Sequence, residues 1–77
     1  MNDLSSTVKQ LRKEAGITQE QLAEYSGVGL ALVRKIEQGG TTMRVDKVNR
    51  ILALFDYALV ALPAGDVRFF VEKEGEL

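Results

Sequence analysis

Apolar residues recur every three or four positions through the first 55 residues, then give way to short continuous runs, so the chain predicts helices followed by strands. Leu4, Val8 and Leu11 fall at helical spacing in a first segment over residues 5–15; Ser5, Ser6 or Thr7 can cap it, and Gly16 sits where a left-handed residue ends a helix. Thr18 with Gln21 three residues later has the reciprocal arrangement of a capping box, which opens a second helix over 19–25 with Leu22 and Ala23 facing inward. Ser26 and Gly27 form a turn, because glycine accepts the positive φ of a tight corner, and Val28 tucks into the core. A third helix covers 30–38, with Val33 and Ile36 inward and Leu30, Ala31, Arg34 and Lys35 on outward or flanking faces, and Gly39 stops it. Residues 39–42 connect to a fourth helix over 44–55, marked by Val45, Val48, Ile51, Leu52 and Phe55.

After Asp56 the period changes. The run ALVAL at 58–62, the turn Pro63-Ala64-Gly65-Asp66 and the run VRFFV at 67–71 predict two short strands, and 72–77 read as a frayed acidic tail. An isolated hairpin is marginal in water. It is completed either by folding back on its own helices or by pairing with a second copy, which would make Leu59, Val60, Leu62, Phe69 and Phe70 a dimer interface. The expected fold is therefore mainly α, with four or five short helices in residues 1–56 and a strand or hairpin used for dimerisation, plus the acidic tail, in 57–77.

Two short helices joined at a glycine corner across residues 18–39 make a helix-turn-helix, a shape that offers its second helix to the DNA major groove. Composition narrows the alternatives. The chain has 77 residues and neither Cys nor His, which excludes thiolate or imidazole metal sites, disulfides, cysteine nucleophiles and histidine bases. With no phosphate-binding loop and no paired carboxylates either, an enzyme is not expected, nor is a cofactor or metal. No window has the apolarity of a membrane span and the N-terminus lacks a secretory layout, so a cytoplasmic protein that does not enter membranes is expected. Net charge is −1, but residues 1–55 hold eight basic against six acidic side chains and residues 56–77 two against five. Such an asymmetry suggests a mildly basic working face and an acidic extension.

The positions Thr18-Gln19, Leu22-Ala23, Gly27-Val28, Val33, Ile36-Glu37 and Gly39 resemble the helix-turn-helix family of phage repressor and Cro-type (XRE-like) DNA-binding domains. The continuation RVDKVNRILALF, followed directly by a short apolar strand, is similar to HipB-type antitoxins. The resemblance implies a homodimer that binds an inverted-repeat operator, represses its own promoter and partners a HipA-like kinase toxin. It also implies phosphate contacts from Gln19, Thr18, Arg44 and Thr41, and a partly buried ion pair between Arg12 and Glu37. Base edges would be met by Gly29, Leu30, Ala31 and Lys35, with Arg34 alongside. Here the chain departs from the family's habit of polar readers: Gly29, Leu30 and Ala31 offer only backbone or methyl contact, so polar readout falls to Arg34 and Lys35. Whether these two read bases or only neutralise phosphate stays open. Two other readings stay open with it: a repressor without a toxin, and a protein-interaction subunit that uses the motif as scaffold, with Leu30, Leu32 or the hairpin as its docking patch.

Overall fold

The computed structural model describes residues 3–40, 42–61 and 71–73. Within them the order is α1 (Leu4–Glu14), α2 (Gln19–Ser26), α3 (Leu30–Glu37), α4 (Val45–Ala53), β1 (Tyr57–Leu59) and β2 (Val71–Lys73). The expected mainly helical fold with a short β element is what the chain adopts.

α1 begins one residue before the expected start. Its cap is Asp3 rather than Ser5, Ser6 or Thr7: the Asp3 carboxylate accepts the Ser6 N–H at 2.7 Å. A carboxylate there also meets the positive end of the helix dipole, and the Ser6 hydrogen bond holds the Asp3 pKa below the usual range. Ser5 is spent elsewhere, its hydroxyl donating to the Glu37 carbonyl at 2.8 Å and tying α1 to the end of α3.

All four helices contribute to one core. Val8, Leu22, Ala23, Val33, Ile36, Val48, Ile51 and Leu52 are buried, each on the inward stripe of its helix. Around them lie the half-buried Leu4, Leu11, Ile17, Val28, Leu30, Leu32, Met43 and Phe55, together with Tyr57 and Leu59 of β1. The short strand therefore shares the helices' core.

Asp56 makes that possible. Its φ of 60° turns the chain out of the last turn of α4 straight into β1. Aspartate tolerates this left-handed geometry better than most residues, whereas a β-branched side chain does not. Asp56→Val is expected to lower stability by about 1–2 kcal/mol, read as a lower urea midpoint at unchanged m-value. Asp56 is exposed, so lost packing would contribute nothing to that change.

β1 covers 57–59, starting one residue before the expected position and ending at Leu59, and it pairs antiparallel with β2 at 71–73 in the register Tyr57↔Lys73, Ala58↔Glu72, Leu59↔Val71; residues 67–70 of the expected second strand lie outside the described residues. Glu72 and Lys73 thus belong to the sheet and not to a frayed tail. On the edge away from β2, the Leu59 N–H donates to Asn49 Oδ1 of α4 at 3.0 Å. Among the described residues β1 packs on α4 and pairs with β2. Leu62, Phe69 and Phe70 lie outside the described residues, and Val60 is half-buried.

Candidate nucleic-acid interface

The α2–turn–α3 unit is built from short-range hydrogen bonds that the local sequence dictates. At the start of α2, Thr18 N–H donates to Gln21 Oε1 at 2.9 Å and Gln21 N–H to Thr18 Oγ1 at 3.0 Å, the reciprocal box that the spacing predicts. The two remaining first-turn amides, Gln19 and Glu20, have no hydrogen-bond acceptor among the described residues. At its end, Gly27 adopts φ 72°, ψ 30°. Its N–H then reaches the Glu24 carbonyl at 3.3 Å, and the Val28 N–H reaches the Ala23 carbonyl at 3.1 Å, the paired bonds of a Schellman close. Ser26 is the last residue of α2 instead of part of the turn, and its hydroxyl donates back to the Leu22 carbonyl at 2.7 Å.

α3 starts at Leu30 with Gly29 as its N-cap, in ordinary extended geometry and with no side-chain cap. Its exposed positions are Ala31, Arg34 and Lys35, and its C-cap Gln38, seven positions on from Ala31, continues the same stripe. Leu30, given an outward or flanking face, takes the flanking one: it lies one turn before Val33 and two before Glu37 and is half-buried against the core. Gln38, an exposed amide on the outward stripe, is the residue that sequence reasoning missed. Counting seven positions on from Ala31 would have found it.

A single carboxylate anchors this helix. Glu37, at 5% exposure, accepts Arg12 Nε at 2.6 Å and Nη2 at 3.0 Å, together with the Gln19 amide at 3.1 Å. Arg12 Nη1 reaches the Ile17 carbonyl at 3.0 Å. Arg12 and Glu37 are thus in direct contact, and donors from α1 and α2 converge on the last residue of α3. Burial alone would raise the Glu37 pKa. The hydrogen bonds from Arg12 and Gln19, with the Arg12 charge, outweigh that and hold it below the ordinary range. The bond to Glu37 likewise raises the Arg12 pKa. Gln19 gives one amide proton to Glu37 and keeps a second for another acceptor.

The helix-turn-helix family model matches residues 8–62, which take in both helices of the motif and the turn between them. The chain belongs to the helix-turn-helix family. This helix-turn-helix protein is 32% identical over 66 residues to the uncharacterized HTH-type transcriptional regulator y4mF of Sinorhizobium fredii (strain NBRC 101917 / NGR234), an alignment covering 86% of this chain and 87% of that protein. No solved structure matches the chain.

The other side chains singled out in this helix-turn-helix protein sit as follows. Arg44 is the exposed N-cap of α4 and holds Asp46 with two bonds, Nε to Oδ1 at 3.1 Å and Nη2 to Oδ2 at 2.9 Å. Both partners are well exposed, so the pair contributes little to stability and Arg44 can exchange Asp46 for another anion. Thr41 lies outside the described residues. Arg34 and Lys35 form no ion pair among the described residues. No cluster of metal-binding side chains occurs there, and no helix there is long and apolar enough to cross a membrane.

Proposed function

We propose that this helix-turn-helix protein is a transcriptional regulator that binds double-stranded DNA, with α3 in the major groove. The observation that carries this reading is the outward stripe of Ala31, Arg34, Lys35 and Gln38, exposed along a helix anchored at its last residue by Glu37. The two cations and the amide of that stripe make no side-chain hydrogen bond or ion pair among the described residues. The amides of Gln19 and Glu20, the second Gln19 amide proton, Thr18, Arg44 and Thr41 supply phosphate contacts on either side. Gly29 and Ala31 admit a close approach of the groove, and Leu30 adds apolar contact with whatever part of its side chain the core leaves uncovered. Membership in this family and likeness to a regulator also speak against an enzyme.

The finer reading is a homodimeric autorepressor and antitoxin of a HipBA-like operon, with a HipA-like kinase toxin as partner. It is supported by the similarity of RVDKVNRILALF and the following strand to HipB-type antitoxins. In the dimer Val60, Leu62, Phe69 and Phe70 supply the new contact, and Leu59, already packed on its own core, contributes less. Two copies of α3 then meet half-sites about 34 Å apart in an inverted repeat.

Titration of a labelled duplex from upstream of the gene tests the DNA reading. Affinity is expected to fall by at least about tenfold between 50 and 200 mM KCl, and Arg34→Ala with Lys35→Ala to abolish preference over random duplex. Absence of binding at low salt would leave the scaffold reading in its place, which the apolar residues at the front of α3 favour. A kinase-like reading frame beside the gene tests the antitoxin role.

A further inference from the structure

Two adjacent glycines follow α3, and their surroundings differ. Gly39 carries the positive φ, 85°, that ends the helix. Gly40 is distinguished by space: a Cβ there would lie 2.5 Å from Lys35 Cγ, 3.0 Å from the Lys35 carbonyl oxygen and 3.3 Å from Lys35 Cε. Early and late carbons of one side chain both lie beside the Gly40 Cα, so the Lys35 stem runs across it. The Gly40 N–H donates to the Lys35 carbonyl at 2.8 Å, which fixes the two residues against each other. Nothing comparable holds Arg34, whose guanidinium is exposed and makes no hydrogen bond among the described residues.

We propose that Gly40 is a positioning residue for the DNA interface: it lets the Lys35 stem lie toward the α3–α4 connection, which directs that ammonium to the phosphate backbone and leaves Arg34 as the cation that reads base edges. The inference rests on the DNA-binding reading above. A lysine that reads guanine must extend from the helix into the groove, whereas a stem laid back over the following loop carries its charge to the groove wall, where the C-terminal end of a recognition helix meets phosphate. Arg44 stands on the same connection. The two cations of α3 therefore have separate roles, one for specificity and one for affinity.

The test compares a duplex selected from a random pool with a scrambled duplex of equal length, over a range of KCl. Lys35→Ala is expected to weaken binding to both by the same factor and to reduce the salt slope by about one. Lys35→Met keeps the stem without the charge and should do the same. Arg34→Ala is expected to cut the ratio of the two affinities by about tenfold or more. Gly40→Ala displaces the Lys35 stem, so it should weaken both complexes in the parent and much less in a Lys35→Met background, where the stem that a Gly40 Cβ would strike is kept but the ammonium is gone, a coupling that a purely steric effect does not produce. Loss of discrimination in Lys35→Ala with discrimination kept in Arg34→Ala overturns the assignment, as does an equal effect of Gly40→Ala in both backgrounds. If Gly40→Ala does not fold, the Lys35→Ala, Lys35→Met and Arg34→Ala comparison decides. Failure of the parent protein to enrich or bind any duplex at low salt overturns the DNA-binding reading itself, and this inference with it.

Discussion

Arg12→Ala is expected to destabilise the protein by about 3–5 kcal/mol, because it leaves the Glu37 carboxylate buried with only the Gln19 amide beside it. Against a total stability of about 5–15 kcal/mol for a small domain, that loss leaves a substantial unfolded fraction at physiological temperature. The size comes from asymmetry. Bringing two charges out of water costs nearly what their attraction returns, so replacing both, as in Arg12→Met with Glu37→Leu, should cost far less than removing either alone. Chemical denaturation of the two single variants and the double variant measures the difference. The same pair gives a pH signature. Glu37 has a folded pKa below its unfolded value, so its contribution is fully present above the ordinary glutamate value of about 4.3 and is lost as pH falls through the lower folded value. The melting temperature of the parent protein should therefore fall more steeply below about pH 4.3 than that of Glu37→Gln, which starts lower and carries no carboxylate to protonate there. Equal slopes would remove Glu37 from the account.

The second large effect lies in the core. Leu22→Ala is expected to cost about 2–5 kcal/mol, since the side chain is fully buried on α2, the helix that packs against both α3 and α4. A side chain enclosed on every side leaves its neighbours little freedom to close the gap. Leu22→Met conserves volume and should cost less than about 1.5 kcal/mol, so calorimetry of the two variants separates the cavity from any general sensitivity of the site.

What could be read from the chain depended on how far apart the interacting residues lie. Thr18 and Gln21, or Gly27 with its two neighbours, act over a few positions, and there the pattern led directly to the geometry. The buried stripe through Leu22, Val33, Ile36, Val48 and Ile51 was equally plain, because helical periodicity alone assigns it. Arg12 and Glu37 are 25 residues apart, and no local rule joins them. Only the family resemblance brought them together, and it did not bring in the Gln19 amide. Asp3 was missed because three hydroxyl residues follow it, all acceptable caps, and the choice rests on Ser5 reaching the end of α3. The placement of β1 depends on Asp56 and Asn49, one a backbone angle and the other a side chain ten residues from its partner, neither visible in a hydrophobic pattern. Leu30 could be placed no more closely than outward or flanking, because at the first position of a helix the inward and outward faces are one residue apart and the start of α3 had to be known before its side could be assigned.

Gly29 separates two constraints that usually collide. Its backbone angles suit any amino acid, and a Cβ added there would meet no atom of the described protein within 4 Å beyond its chain neighbours. The fold thus places no demand on this position, although it opens the helix proposed to enter the groove. New side chains can be tried there without taxing the scaffold, and Gly29→Ser or Gly29→Asn would even supply the cap that α3 lacks. Preference for DNA sequence can in this way drift, or be redirected by design, at a residue where folding does not vote.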